Sequence, residues 1–455
     1  MLLASNIVET IHQNMKKIFT IFTLAASVTC TTAQIMTMDE CMAYAIENSI
    51  SVGKQKNSLD NSEMNYRESV AMLFPSLSAG TSGSVNFGRS IDPETNNYTT
   101  KSTFSNSYSL SSSMPVFAGL RYVNNVRAAK VARERGVQEL QIAKDRVALD
   151  VMKAYINVIY YKGAVNIAKE HLEASRNLLQ KTQKLYELGR KSATEVADVA
   201  SQEANYDYLL AEQENHLAMA WIKLRETMNY PQEQPLEVVA SECNSLINDN
   251  AAIEDVTEYA LCNNTQIIES RLAVREYKLH YAKAKGSWAP TISLSAGIST
   301  NYFTNMDGKS VYPTFASQFA NNSGSYVGMS LSLPIFSNLS RKSSVRSARN
   351  ALRNAELEHT ATVTAVTSEI AQAYNQMRGQ KKLYVQAQKK VSAAELAYSG
   401  AEIKFEKGLL TAMELQTVST TLLQARSEML QAQLQYLVES RMVDYYNGTP
   451  LIEIK

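Results

Sequence analysis

The chain states nearly the same pattern twice, and an internal duplication constrains a fold more than any single motif, because both copies must build the same unit. Pro115-Val116-Phe117 returns as Pro334-Ile335-Phe336, Ala154-Tyr155 as Ala373-Tyr374, and LYELG, ending at Gly189, as KFEKG, ending at Gly408, all three at one constant offset. Upstream, FPSLSAG with Pro75 returns as APTISLSAG with Pro290, at a slightly shorter offset. The difference falls between strands, where loop length varies freely.

Each copy opens with a pair of serine-striped strands. Over residues 76–87, Leu77, Ala79, Val85 and Phe87 share one parity, and Ser76, Ser78, Ser82, Ser84 and Asn86 the other. In 104–114, Phe104, Tyr108, Leu110 and Met114 oppose Ser105, Ser107, Ser109, Ser111 and Ser113. The second copy repeats this over 291–302 (Ile292, Leu294, Ala296, Ile298 and Tyr302 against Ser293, Ser295, Ser299 and Asn301) and 326–333 (Val327, Met329, Leu331 and Leu333 against Gly328, Ser330 and Ser332). Period-two alternation makes two-faced strands. A soluble sandwich puts charge on its wet face, whereas these strands put small neutral groups there; a half-buried soluble sheet is the alternative. Strands of about 11 residues, at about 3.3 Å each and tilted near 45°, cross about 25 Å of hydrocarbon. Tyr98, Phe104, Tyr108, Tyr302 and Tyr326 are placed as an interfacial aromatic girdle.

Four strands cannot close a barrel, and an open edge in lipid leaves backbone groups unpaired at several kcal/mol each. The chain is therefore expected to oligomerise. Two copies give a barrel filled by side chains, while three give about 12 strands and a wet, serine-lined lumen. The small polar lining favours three.

Behind each strand pair runs a long helical pattern. Leu140, Val147, Val151, Ala154 and Val158 keep heptad spacing, as do Val363, Val366, Ile370, Ala373 and Met377, while Ile142, Leu149 and Ile156 follow another face. Two seams on different faces make a stave packed on both sides. From Arg121 to Leu188 the pattern holds for about 100 Å of helix at 1.5 Å per residue. Gly189 then precedes Ser192-Ala-Thr-Glu195, and Gly408 precedes Thr411-Ala-Met-Glu414: a C-cap glycine followed by a capping box, which predicts two hairpin tips. The units so defined are 34–230 and 256–446, joined by 231–255, with a tail at 447–455.

Residues 1–33 read as an export signal, with the start at Met15. Lys16-Lys17, an apolar run from Ile18 to Val28, and Thr31-Thr32-Ala33 supply the charged region, apolar core and small-residue cleavage site. Cleavage after Ala33 is one reading; acylation of Cys30 is the other, disfavoured by Thr29. Beyond this segment no apolar run approaches the length of a membrane-crossing helix, so the strands remain as the membrane-crossing candidates. A net charge of +1 speaks against nucleic acid as a partner. Cys41, Cys243 and Cys262 are odd in number and scattered, implying neither a disulfide framework nor a metal site. His171, His216, His280 and His359 stand singly in helical pattern, and HExxH, CxxC, Walker glycines and GxSxG are absent. No catalytic residue, cofactor or metal is expected, and no enzyme.

The duplicated plan, PVF before a long helix, the tip glycine with its following cap and the serine-striped strands together resemble the TolC-like outer-membrane efflux family, over essentially the whole chain after residue 33. The resemblance implies a mainly α fold with a membrane β-barrel portion: a homotrimer with a 12-stranded barrel in outer-membrane lipid and an α-helical barrel crossing the periplasm. It also implies partners, a periplasmic adaptor and an inner-membrane pump or exporter. Within that reading, multidrug efflux and one-step protein secretion share one architecture. A structural periplasmic coiled-coil protein with a soluble sheet is the third possibility.

The resemblance further directs attention to the tips, where such proteins meet the adaptor: Leu188, Gly189, Arg190, Lys191 and Ser192 in one, Lys407, Gly408, Leu409, Leu410 and Thr411 in the other. Leu409 and Leu410 are expected to be exposed there. The family often narrows its inner end with two acidic side chains one turn apart on the last returning helix. Counted from Gly408 these positions are Glu414 and Thr417, so half the pattern is present; Glu414 equally completes the cap of Thr411. Glu195 and, one turn on, Asp198 are the corresponding acidic residues of the first tip. The loops 88–103 and 304–325 are expected as solvated connections outside the cell.

Overall fold

The computed structural model describes residues 34–91, 96–239, 252–306 and 312–452. The expected signal with Met15, Cys30 and Ala33 lies outside the described residues, as does Cys243. The duplication is visible in element lengths. In the first copy α1 (Met38–Asn48, 11 residues) and α2 (Ile50–Ala71, 22) lead through strands to α3 (Arg121–Glu187, 67) and α4 (Ala193–Met228, 36). In the second, α5 (Ile253–Asn263, 11) and α6 (Thr265–Lys285, 21) lead to α8 (Ser340–Glu406, 67) and α9 (Ala412–Tyr446, 35). The intervening short helix, α7, spans Phe315–Asn321.

The first strand, β1 (Gln34–Met36), pairs in parallel with β6 (Leu236–Val238). With α1 this small sheet covers the middle of α3, where Val147, Val151, Tyr155 and Val158 are buried beside Leu224 and Met228 of α4. The Tyr155 hydroxyl donates to the Val239 carbonyl (2.9 Å) and accepts from the Val239 N–H (3.2 Å), satisfying a polar group inside this core. The second-copy seam buries Val366, Ile370, Ala373 and Met377 against α5 and α9 in the same way.

The main sheet holds β2 (Ser76–Asn86), β5 (Thr103–Phe117), β7 (Thr291–Asn305) and β8 (Gly324–Ser332), in the order β2-β5-β7-β8 and antiparallel throughout. Register puts serine opposite serine. Ser78 meets Ser111 (hydroxyl oxygens 2.9 Å apart), Ser82 meets Ser107 (2.7 Å), Ser84 meets Ser105 (2.8 Å) and Ser293 meets Ser330 (2.8 Å). The other face is apolar and exposed along Leu77, Leu110, Leu294, Ile298, Val327, Met329 and Leu331. Tyr326 departs from the expected girdle. It shares parity with Ser330 and its ring covers Gly297 on the serine face, where a Cβ at Gly297 would meet it at 2.8 Å.

The loops differ from simple solvated connections. Between β2 and β5 a hairpin forms from β3 (Arg89–Ile91) and β4 (Tyr98–Thr100), with the Arg89 guanidinium 4.6 Å from the Tyr98 ring centroid. The β7–β8 connection carries α7. Among the described residues no helix is long and apolar enough to cross a membrane.

Strand passes to long helix through consecutive left-handed residues in both copies: Gly119 and Leu120 (φ 61° each), Asn338 and Leu339 (φ 46° and 62°). In the first copy this turn lies backbone to backbone on the start of the α6–β7 turn. A Cβ on Gly286 would strike the Gly119 carbonyl, and one on Gly119 the Gly286 carbonyl and Ala289. Gly286 has an ordinary helical φ of −60°, so its substitution tests contact alone. Gly286→Ala is expected to destabilise by about 1–3 kcal/mol, the usual range for overpacking. Gly400→Ala, in α8 with nothing within 4 Å of the new Cβ, should stabilise by about 0.5–1 kcal/mol. Denaturant midpoints of the two variants read the opposite signs.

Candidate functional site: the inner ends of the helical hairpins

Both long helices end by one mechanism. Leu188 closes α3, Gly189 takes φ 71°, and its N–H donates to the Tyr186 carbonyl (2.9 Å) while that of Arg190 donates to Leu185 (2.8 Å). Gly408 (φ 74°) donates to Phe405 (3.0 Å) and Leu409 to Lys404 (2.9 Å). This Schellman closure needs a left-handed residue, hence the glycine. The chain turns and restarts at Ser192 and Thr411, each forming a complete capping box with Glu195 and Glu414.

The two tips lie side by side, joined by a small apolar cluster of Val199, Ala401, Phe405, Ala412 and Leu415. This cluster decides which tip residues face outward. Leu188 (72% exposed) and Leu409 (73%) do, as do Arg190 and Lys407. Leu410 does not; contrary to expectation it is half-buried against the Phe405 cluster. Lys191 is likewise engaged, its ammonium 2.6 Å from Glu195 and 4.4 Å from the centroid of the Phe405 ring. It ties the first tip to the second hairpin rather than standing free for a partner.

Glu414 is exposed, and its carboxylate accepts from the Thr411 N–H (2.9 Å) and hydroxyl (2.7 Å). Those two bonds hold its carboxyl below the usual range, so the charge persists into mild acid. Glu195 is lowered too, first by Lys191 and then by the Ser192 backbone. Thr417 points its hydroxyl back to the Met413 carbonyl (3.0 Å), and Asp198 is exposed one turn beyond Glu195. Within one chain the capping role of Glu414 is thus formed, and its side chain is also open to whatever shares the space beyond.

A second feature escaped the sequence reading. Several helical turns behind the tips, a buried polar seam runs between the hairpins: His171 and Ser175 of α3, Gln202 and Tyr206 of α4, Tyr398 of α8 and Ser419 of α9. Tyr206 and Ser419 hydrogen bond across it (2.9 Å), and the His171 and Tyr206 rings lie 5.7 Å apart. Burial, and then Arg426, push the His171 pKa down to about 4. Arg426 itself bridges Glu170 of the first hairpin and Glu395 of the second (2.8 Å each), and Lys181 reaches Glu406 (2.8 Å). Exposed pairs of this kind contribute little each. The apolar cluster and the buried Tyr206–Ser419 bond therefore carry the hairpin contact.

His171 gives this contact a pH dependence. When the seam opens, His171 regains an ordinary pKa near 6.5 and binds a proton that the closed seam accepts only near pH 4. Closure is thus fully favoured above about pH 6.5, weakens as pH falls, and by about pH 4 has lost about 3 kcal/mol. Amide protection factors across α3 and α9, which take out the intrinsic slowing of exchange in acid, should fall over that window. His171→Leu should flatten the dependence; an unchanged slope assigns it to another group.

The outer membrane efflux protein model matches this chain over residues 43–229 and 256–445. The chain belongs to the outer membrane efflux protein family. Among curated relatives, the outer membrane protein TolC of Escherichia coli strain K12 is 25% identical over 332 residues, covering 69% of this chain and 64% of TolC. The chain thus spans less than two thirds of that relative. Among solved structures, CusC, described for conformational changes accompanying folding and transmembrane channel formation, superposes with a TM-score of 0.78 over 91% of this chain and 92% of its own, at 16% identity. VceC of Vibrio cholerae gives 0.77 over 91% and 96%, at 14% identity. As a member of the outer membrane efflux family the chain has the family's fold, mainly α with a β-barrel portion to which it contributes four strands, and belongs in the outer membrane.

Proposed function

We propose that three copies of this chain form a passive duct from the periplasm to the exterior, fed by a periplasmic adaptor and an inner-membrane pump or exporter. The carrying observation is the sheet. It has a hydroxyl face, an exposed apolar face and, among the described residues, two edges without a partner strand, on β2 and β8, that run in opposite directions. β8 of one copy can therefore pair antiparallel with β2 of the next, and three copies close a ring whose serine face lines a wet lumen. The long helices α3 and α8, about 100 Å each at 1.5 Å per residue, continue the duct into the periplasm. In this reading 34–230 and 256–446 are the repeated staves, and 231–255 joins them.

At the inner end, three copies bring three Glu414 carboxylates toward one axis, a ring that favours cations. Planar-bilayer recording tests both levels. The wild-type trimer is expected to conduct with cation preference, and Glu414→Ala to lower that preference and the block by multivalent cations. If Glu414→Ala reduces stability and leaves selectivity unchanged, Glu414 is a cap alone. If the purified chain is a monomer with an intact sheet, the duct itself is rejected.

A further inference from the structure

The β7–β8 connection holds a feature that neither the duct nor its gate uses. β8 pairs β7 from Thr291 to Ser299, and among the described residues no strand pairs the next residues of β7 on that edge. α7 covers them. The Gln318 side chain, 7% exposed, accepts from the Phe303 N–H (3.0 Å) and donates to the Phe303 carbonyl (3.0 Å) and that of Pro313 (3.0 Å). Asn322 donates to the Asn301 carbonyl (2.8 Å), and the Thr300 hydroxyl to the Phe319 carbonyl (2.8 Å). An edge facing water needs no such substitutes, because water supplies the bonds; an edge facing lipid does.

The side on which α7 lies is equally informative. Its Phe315 and Phe319 pack on Tyr108 (6.1 and 5.5 Å between centroids), and Phe315 on Tyr302 (5.3 Å). Tyr108 and Tyr302 are of the apolar parity, so α7 sits outside the sheet, opposite the serines. Its sequence, FASQFAN, has no charge, and its two phenylalanines remain 46% and 42% exposed. The height fits as well. About 11 residues of β5, counted up from Phe117 where the helix junction begins, span the hydrocarbon and end near Tyr108.

We propose that α7 is an interfacial anchor, an aromatic wedge lying at the acyl–headgroup boundary on the rim away from the hairpins, where it seals the β7 edge against lipid. The wedge continues the exposed apolar strip of Leu110, Ile298 and Val327, which names lipid as its occupant. The inference rests on the membrane-barrel reading and deepens it.

Depth-dependent fluorescence quenching tests it. The chain has 2 tryptophans, Trp221 and Trp288, and phenylalanine at both gives a silent background. Phe319→Trp in that background is folded as the full chain into phosphatidylcholine vesicles brominated either near the headgroup or near the chain end. A ring buried roughly 5–10 Å into the boundary should lose about half its emission to the shallow label and little to the deep one. Val327→Trp, at mid-height on the same face, should show the reverse. Quenching of Phe319→Trp by aqueous iodide, with neither lipid label effective, places α7 in water and overturns the anchor while Val327→Trp upholds the barrel. If Val327→Trp also escapes both labels, the barrel reading falls and the anchor with it. Phe315→Trp, read in the same vesicles, gives the answer if Phe319→Trp does not insert.

Discussion

Leu110→Arg is expected to abolish membrane assembly, while Ser109→Arg, the adjacent residue on β5, assembles and changes what the pore conducts. β5 is paired on both sides within the chain, so neither substitution touches a subunit edge. They differ only in face. Leu110 belongs to the exposed apolar strip between mid-membrane and the Tyr108 boundary, where an arginine costs about 1–2 kcal/mol per chain, incurred in every copy of the ring. Ser109 lies on the hydroxyl face, where a 12-stranded lumen has room for a hydrated guanidinium. The reading is twofold: the fraction of chain whose gel mobility shifts on boiling, and the ion selectivity of reconstituted channels. A soluble half-buried sheet predicts another pattern, in which both variants fold and neither responds to detergent.

The second large effect concerns the tips. On the proposed reading of a multidrug duct that docks an adaptor at its tips, Leu188→Asp together with Leu409→Asp should eliminate drug resistance in cells that depend on it, while leaving the assembled chain at normal yield. Both side chains are more than two-thirds exposed, one on each tip, and apolar side chains held out in this way mark contact surfaces. A buried interface leucine of hot-spot quality contributes about 2 kcal/mol, roughly 30-fold in affinity. Two should therefore release the proposed adaptor at any reasonable cellular concentration. Leu410→Asp is the counter-case. Its side chain supports the Phe405 cluster, so this change should loosen the hairpins themselves, seen as faster amide exchange in α8 and α9. Unchanged resistance in the Leu188/Leu409 double variant refutes docking at the tips.

The sequence revealed whatever repeats with a period and little of what depends on a third dimension. Serine parity announces both faces of the sheet because a strand has only two faces, and Tyr326, though near a strand end like the girdle aromatics, follows its parity and faces the serines. The hairpin tips were legible because a left-handed glycine and a capping box are local devices. Leu410 and Lys191 were not, since their exposure is set by Phe405, which lies in the other copy from Lys191 and yet is in contact with it. The His171 seam could not be read from single polar residues on four helices; only packing brings them together. For α7 there was a signal, two phenylalanines four apart in an uncharged segment after Thr314, whose hydroxyl caps the helix. Surrounded by Asn, Ser and Gly, it read as loop. The paired left-handed residues at Gly119-Leu120 and Asn338-Leu339 were also hinted at, by Gly in one copy and Asn in the other, the two residue types most tolerant of that conformation.

The two unpaired edges of the sheet carry a genetic consequence. An edge that is completed only by another copy makes every subunit responsible for two seams, and a ring with one faulty seam is an open sheet in lipid, not a weaker barrel. A chain damaged on β8 alone still offers a sound β2 edge, so it enters rings and spoils them. Produced in equal amounts with the intact chain, it leaves only about one ring of three copies in eight without a defect. Mutations in β8 should therefore be dominant, whereas those that stop the chain from folding at all, and so from entering rings, should be recessive.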